Sequence, residues 1–288
     1  TADATITHIE PVEIVSGSYH TCVRYNDNSV KCWGDAADGQ LGRGSTVDLG
    51  DSASEGGGFL PFVNLGTGRT AKALAAGISH TCAILDNNTV KCWGYNFYGQ
   101  LGLGSTANLG DGPNEMGDSL AIVNLGTGRT ATSLFAFGYE TCAILDNATT
   151  KCWGRNTYGQ LAKGDVNHRG DAANEMGDNL TAINFGTGRT ATKITGGVDF
   201  MCALLDNASI KCFGRSDRGQ LGYGNINSIS DTALEVGDAV TAVNLGTGRT
   251  VVELTSGYSH SCAILDDSTM KCWGRNQSGQ LGKGNTNN

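Results

Sequence analysis

The sequence predicts an all-β repeat protein, and three observations lead there. One 60-residue unit recurs without insertion or deletion: its first cysteine is Cys22, Cys82, Cys142, Cys202 and Cys262, its second Cys32, Cys92, Cys152, Cys212 and Cys272. Such self-similarity marks a repeat architecture. Each unit carries two short apolar, β-branched runs around a polar turn, such as His80–Leu85 and Val90–Gly94 on either side of Asp86-Asn-Asn-Thr89, which is the pattern of a β-hairpin. Glycine makes up 43 of 288 residues and falls at fixed repeat positions such as Gly94, Gly99, Gly102 and Gly104, where it marks turns.

The hairpin loop decides how the cysteines meet. A three-residue loop centred on Asn87 sets Cys82 opposite Cys92, whereas a two-residue loop shifts the pairing by one and separates them. Opposed residues on neighbouring strands lie roughly 4.5–5.5 Å apart, which a disulfide spans after slight adjustment. The expectation is five disulfides: Cys22–Cys32, Cys82–Cys92, Cys142–Cys152, Cys202–Cys212 and Cys262–Cys272. The Cys-x9-Cys spacing fits no zinc site, and none of the ten cysteines is left over. On the second strand Trp93 faces away from Cys92. With Trp33, Trp153, Phe213 and Trp273 it reads as core, a large ring packed against the next repeat. Lys91 and its equivalents Lys31, Lys151, Lys211 and Lys271 share that face and are expected in a salt bridge or cation–π contact.

Acidic loops join the hairpins, for example Asp111-Gly-Pro-Asn-Glu-Met-Gly-Asp118. Asp111, Asn114, Glu115 and Asp118 form a hard-oxygen set suited to calcium, as do Asp171, Asn174, Glu175 and Asp178. The spacing is not that of an EF-hand, and a solvated turn paired to a repeated arginine is the competing reading. That arginine (Arg69, Arg129, Arg189, Arg249) ends a Gly-Thr-Gly-Arg turn. No strand–helix context supports phosphate binding there, so a turn capped by an arginine salt bridge is expected. Asn87, Asn147 and Asn207 head glycosylation sequons at the hairpin tips, and Asn179 and Asn276 head two more.

Taken together, Gly-x-x-His-Thr-Cys-Ala-Ile-Leu, Val-Lys-Cys-Trp-Gly-x-Asn and Gly-Gln-Leu-Gly resemble the repeat of the regulator of chromosome condensation family over essentially the whole chain. The resemblance implies one β-propeller over 1–288 with four-stranded blades. The best-known members have seven blades, whereas this chain carries five signatures. Units run about 17–76, 77–136, 137–196, 197–256 and 257–288. Five full units need 300 residues, 12 more than the chain has. Residues 1–16, which read as outer-strand material, are therefore expected to complete the fifth unit and close the ring, protecting its edges. The alternative is a piece of a longer array. Among relatives, the cysteine-paired copies look most like extracellular repeat proteins.

No catalytic set stands out. His20, His80 and His260 begin equivalent strands, but Glu140 and Phe200 fill the other two places, so hydrogen bonding or packing is the reading. A net charge of −8 disfavours nucleic acid as a partner. No apolar run of about 18 residues exists to span a membrane. Paired cysteines indicate an oxidising compartment, secreted or at the cell surface. The expected function is a non-enzymatic scaffold that binds a protein partner or assembles with itself, needing no cofactor unless calcium. The alternatives are a carbohydrate-binding, lectin-like propeller and, third, a glycoside hydrolase with a central pocket. Partner choice is expected where copies differ on exposed loops. Between Trp-Gly and Gly-Gln-Leu-Gly stand Tyr95, Phe97, Tyr98, Arg155, Tyr158, Arg215, Arg218 and Arg275, with Tyr223 just beyond in the fourth copy. Tyr and Arg are the residue types that dominate interface energetics, and one register should bring these loops to one face.

Overall fold

The computed structural model describes residues 9–55 and 57–288. Five three-stranded antiparallel sheets follow one another along the chain. The first holds β1 (Pro11–Ser16), β2 (His20–Tyr25) and β3 (Val30–Gly34), and the second holds β4 (Ala71–Ala76), β5 (His80–Leu85) and β6 (Val90–Gly94). The third holds β7 (Ala131–Phe137), β8 (Glu140–Leu145) and β9 (Thr150–Gly154). The fourth holds β10 (Ala191–Gly196), β11 (Phe200–Leu205) and β12 (Ile210–Gly214), and the fifth β13 (Val251–Ser256), β14 (His260–Leu265) and β15 (Met270–Gly274).

Each hairpin closes on a three-residue loop. In the second sheet the amide of Leu85 donates to Thr89 O at 2.8 Å, which leaves Asp86, Asn87 and Asn88 as the loop. Asn88 sits in the left-handed region at φ 63°, as this loop type requires of its last residue. The register then opposes Cys82 to Cys92, and all five expected disulfides are present with Cα atoms 4.0–4.1 Å apart. The first four lie in the interior, with Cys82, Cys92, Cys142 and Cys152 fully buried, whereas Cys262 and Cys272 are half-buried.

Radial order differs from expectation. The stretches read as outer-strand material are the innermost strands: β1, β4, β7, β10 and β13 pack one against the next. A fourth, outer segment touches each of the first four sheets through one backbone bond, as from Val63 N to Val30 O at 2.8 Å and from Val123 N to Val90 O at 2.8 Å. Closure by the N-terminal strand is not what the described residues show. β1 pairs with β2, its own hairpin, and the fifth sheet consists of β13, β14 and β15 alone. The local antiparallel return through Gly17-Ser-Tyr19 gives β1 a partner at once. Residues 1–8 lie outside the described residues.

Seams between sheets repeat one construction. Trp93 is fully buried and its indole Nε1 donates to Gln40 O at 3.0 Å, so the ring packs on the preceding repeat, not the next. Gln40 belongs to the Gly-Gln-Leu-Gly turn. Gly42 in that turn has φ +65°, and a Cβ there would lie 2.7 Å from Trp93 Nε1, so only glycine fits. Among the described residues the first and last sheets each leave one side uncovered: Ile14 is 67% exposed where its equivalent Leu74 is 4%, and Met270 is 66% exposed where Val90 is 0%. Among the described residues no helix is long and apolar enough to cross a membrane.

Candidate functional site

The turns between the first and second strands of the sheets ring the mouth of a central funnel of about 380 Å³, lined by Gly17, Ser18, Gly77, Ile78, Gly138, Val198 and Tyr258 among others. One backbone bond ties each variable loop to that mouth. Asp35 N donates to Tyr19 O, Tyr95 N to Ser79 O, Arg155 N to Tyr139 O, Arg215 N to Asp199 O and Arg275 N to Ser259 O, at 2.8–3.1 Å. Identical register thus carries all five loops to the funnel rim.

On this rim the second to fourth copies build a continuous stripe. Tyr95 lies 6.5 Å from Phe97, 6.4 Å from Tyr98 and 5.5 Å from Tyr139 between ring centroids. Tyr98 lies 5.4 Å from Tyr139 and 5.1 Å from His168. The Arg155 guanidinium covers the Tyr98 ring at 5.2 Å and pairs with Asp199 at 2.8 Å. Arg215 pairs with the other oxygen of Asp199 at 3.2 Å and with Asp217 at 2.8 Å while covering Tyr158 at 5.1 Å. Arg218 stands 3.8 Å from Asp217. Phe97 is 61% exposed at the crest. Burial raises the phenols of Tyr95 and Tyr139 above their usual range.

Two sequence candidates stand apart from the stripe. The Tyr223 hydroxyl donates to Cys212 O at 3.1 Å and accepts from Cys212 N at 3.0 Å. Burial pushes it up to about 12, so it serves the fold rather than a partner. Arg275 makes its bond within its own loop, to Gln277 at 3.1 Å. Conversely, Tyr139, His168 and Asp199 escaped the sequence reading. Tyr139 and Asp199 share one repeat position with Tyr19, Ser79 and Ser259, just before the second strand, and its variation was the available signal.

The acidic loops are occupied by the chain itself. Glu115 Oε2 accepts the amides of Gly110 and Gly112 at 2.9 and 2.7 Å, whereas Asp118 accepts the amide and hydroxyl of Thr67 at 2.8 and 2.5 Å. The Thr67 bonds hold the Asp118 carboxyl below its usual range. Within the set Asp111, Asn114, Glu115 and Asp118, the two carboxylates Glu115 and Asp118 therefore serve separate backbone segments. In the next loop, with Asp171, Asn174, Glu175 and Asp178, Glu175 likewise accepts from Gly170 and Ala172, both at 3.0 Å, and Asp178 from Thr127 at 2.9 and 2.5 Å, which separates these two carboxylates. Among the described residues no three His, Cys, Asp or Glu side chains are grouped to hold a metal ion. The repeated arginines pair elsewhere: Arg69 with Asp86 at 3.0 Å and Arg129 with Asp146 at 3.2 Å, at the hairpin tips and not in the acidic loops.

The repeated lysines also differ from expectation. Lys91 Nζ donates to two main-chain carbonyls, Leu65 O at 3.0 Å and Gly117 O at 2.7 Å, and Lys151 and Lys211 do the same in their copies. Only Lys31 takes the cation–π form, 4.6 Å over Phe62.

The hairpin-tip sequons have a structural cause. Asn87 Oδ1 accepts the amide and hydroxyl of Thr89 at 3.2 and 2.7 Å, and Asn147 and Asn207 repeat this. Asp27 does the same with Ser29, so the loop needs an Asx turn whether or not the residue is asparagine. Asn179 donates to Asn174 O at 3.0 Å. Asn276 is fully buried, and its Nδ2 donates to Asn285 O and Asn287 O at 2.9 and 2.7 Å, which closes it to glycosylation.

The histidines link sheets. His20 Nε2 lies 2.9 Å from Thr81 Oγ1, and Thr81 Oγ1 donates to Gln40 O at 2.9 Å. The hydroxyl's one proton is thereby spent, so Nε2 carries the hydrogen and Nδ1 is bare. His80 and Thr141 repeat the link at 3.0 Å. Burial pulls His20 down to about 4 and His80 to about 3. Glu140, in the same place, is fully buried and accepts from Gln160 at 2.9 Å and Tyr139 N at 3.0 Å. Burial raises its carboxyl well above the usual range.

Residues 12–40, 71–100 and 251–280 match the model of the regulator of chromosome condensation (RCC1) repeat. These three stretches carry the repeat of this family. It is 26% identical over 276 residues to the ultraviolet-B receptor UVR8 of Arabidopsis thaliana, covering 94% of this chain and 54% of the relative. To the human E3 ubiquitin-protein ligase HERC2 it is 25% identical over 279 residues, covering 97% of this chain and 5% of the relative. The RCC1-repeat chain thus spans about half of the first relative and a small part of the second. Human WBSCR16 matches in structure with TM-score 0.74 at 18% identity, over 98% of this chain and 66% of that one. Prp20p of Saccharomyces cerevisiae, a protein whose structure is described with its binding to Gsp1p and histones, gives TM-score 0.71 at 15% identity over 97% and 61%. These likenesses show the fold, an all-β propeller architecture.

Proposed function

We propose that this RCC1-repeat chain is a non-enzymatic protein-binding scaffold of an oxidising, extracellular or cell-surface setting, and that the funnel rim is its partner surface. The rim stripe carries this reading. Large rings with polar tips stand beside arginines whose charges are balanced by Asp199 and Asp217, the mixture that supplies anchors at interfaces. Prp20p, of the same fold, is described as binding proteins. Glu115, Glu175, Asp118 and Asp178 are taken up by the backbone, and His20 and His80 by seam bonds. Five disulfides favour an oxidising environment.

The test is site-directed photo-crosslinking in the native source. A photoreactive residue replaces Phe97 on the rim or, as control, Leu234, which is 85% exposed in an acidic loop. Adducts with one discrete protein from position 97 and none from 234 are expected. Adducts from 234 alone would move the partner surface to the acidic loops.

A further inference from the structure

The seam between the third and fourth sheets differs from its neighbours in one systematic way. Four polar links cross the inner half of the seam between the first and second sheets. They are His20 to Thr81, Thr81 to Gln40 O, Trp93 Nε1 to Gln40 O and, at the mouth, Ser18 N to Ile78 O at 3.1 Å. All four recur between the second and third sheets, through His80, Thr141, Gln100 O, Trp153 and the bond from Ile78 N to Gly138 O at 2.9 Å. Between the third and fourth sheets every one is gone. Glu140 replaces the histidine and bonds to Gln160 of its own repeat. Met201 replaces the threonine, and Phe213, without an N–H, replaces the tryptophan. Among the described residues no bond joins Gly138 to Val198, although Val198 N still reaches Tyr258 O across the next seam at 3.2 Å.

The outer half of this same seam keeps its bonds. Thr187 donates its amide and hydroxyl to Asp238 at 2.9 and 2.5 Å, Gly237 N donates to Asn184 O at 3.1 Å, and Lys211 Nζ bridges Phe185 O and Gly237 O, each at 2.8 Å. Directional bonds therefore fix the periphery, while the inner edge is held by apolar contact among Phe137, Met201 and Phe213. Apolar contact is non-directional and tolerates sliding, whereas hydrogen bonds fix one register. A fixed outer edge and a slippery inner edge make a hinge. Among the described residues the charged contact over the inner edge is the ion pair of Arg155, on the third repeat, with Asp199, on the fourth.

We infer that the seam between the third and fourth sheets is a hinge that opens from the funnel mouth, latched by Arg155 and Asp199. The proposed partner rim straddles this seam, so a partner that engages the arginines releases the latch. The hinge itself stands on the bond pattern and is tested without a partner.

Spin-label amino acids at positions 157 and 217 report across this seam, and labels at 37 and 97 report across the seam of the first and second sheets. Both pairs stand in equivalent loops, and avoiding cysteine chemistry leaves the disulfides intact. The distance distribution for 157/217 should be broader than for 37/97 and include a longer population. Asp199→Asn should enlarge that population at 157/217 and leave 37/97 unchanged. Molar salt, which screens this largely buried pair only in part, should act in the same direction and more weakly than the substitution. Equal widths for the two pairs, or a 157/217 distribution insensitive to both Asp199→Asn and salt, would overturn the hinge. A rigid seam with an intact crosslink from position 97 would leave the partner surface standing alone.

Discussion

The hairpins of the second and fifth sheets share nearly one sequence and live in different surroundings. Val90 is 0% exposed and its equivalent Met270 is 66%, while Ile84 is 3% exposed and Ile264 is 45%. Strand lengths, register, disulfide and hairpin loop are the same in both. A sheet in this molecule therefore gets its geometry from its own residues and much of its burial from its neighbours, as expected where repeats are stabilised through nearest-neighbour contacts.

The largest expected difference between these sheets comes from their tryptophans. Trp93→Ala should cost about 3–5 kcal/mol, since it empties a closed site and leaves Gln40 O short of a donor. Trp273→Ala should cost clearly less, because that ring is only half-buried although its bond to Gln220 O is kept. Urea unfolding of both variants checks this, and equal midpoint shifts would dissolve the distinction.

Removing a disulfide is expected to break the comparison instead. Each bridge closes a loop with a sequence separation of 10, and the chain-entropy effect acts on the unfolded state. Replacing Cys82 and Cys92 by alanine should then cost about 3 kcal/mol, and replacing Cys262 and Cys272 about the same. Calorimetry of the two double variants decides whether burial matters here.

Smaller still is the hydroxyl link. Thr81→Val should cost about 1–3 kcal/mol, because His20 Nε2 and Gln40 O both lose a partner in a buried place. Ser261→Ala in the fifth sheet should cost less, since that hydroxyl bonds to Ser256 of its own sheet, at 3.0 Å. The same unfolding measurement ranks the two.

The smallest effect is one of pH. His80 is held neutral down to about 3, so the unfolded chain binds a proton below 6.5 that the folded chain refuses. Its contribution is complete above 6.5 and fades as pH falls from there toward 3. His80→Gln should flatten that limb of the stability profile more than His260→Gln, because His260 is only partly buried. Glu140 acts oppositely: its raised carboxyl favours the folded state at low pH and loses that advantage as pH rises past the usual carboxylate range.

Local chemistry was readable in the sequence and radial position was not. The loop of Asp86, Asn87 and Asn88 fixes the register, and the register fixes the cysteine pairing, all within a dozen residues. Alternation along a strand assigns faces but says nothing about distance from an axis, so β1 and β4 were placed outside when they are innermost. Tyr98 and Arg155 were readable as varied, exposed types. Asp199, which holds Arg155 and Arg215 together, was hidden because charge balance across two repeats has no sequence spacing. Asn276 shows the opposite failure: a sequon motif carries no information about burial.

The seam built on Trp93 and Gln40 O has a consequence for how such a chain can change. Each copy carries one plug, a tryptophan or, in the fourth, Phe213, and one socket, the Gly-Gln-Leu-Gly turn or, in the third, Gly159-Gln-Leu-Ala162, and the two sit on opposite flanks. Nothing in a copy counts its neighbours. Duplicating a whole copy preserves every junction, whereas losing one residue from a Gly-Gln-Leu-Gly turn spoils one junction and spares the rest. Copy number is thus a free variable of the gene, and individuality enters by editing single plugs and sockets, as Phe213 and Ala162 show.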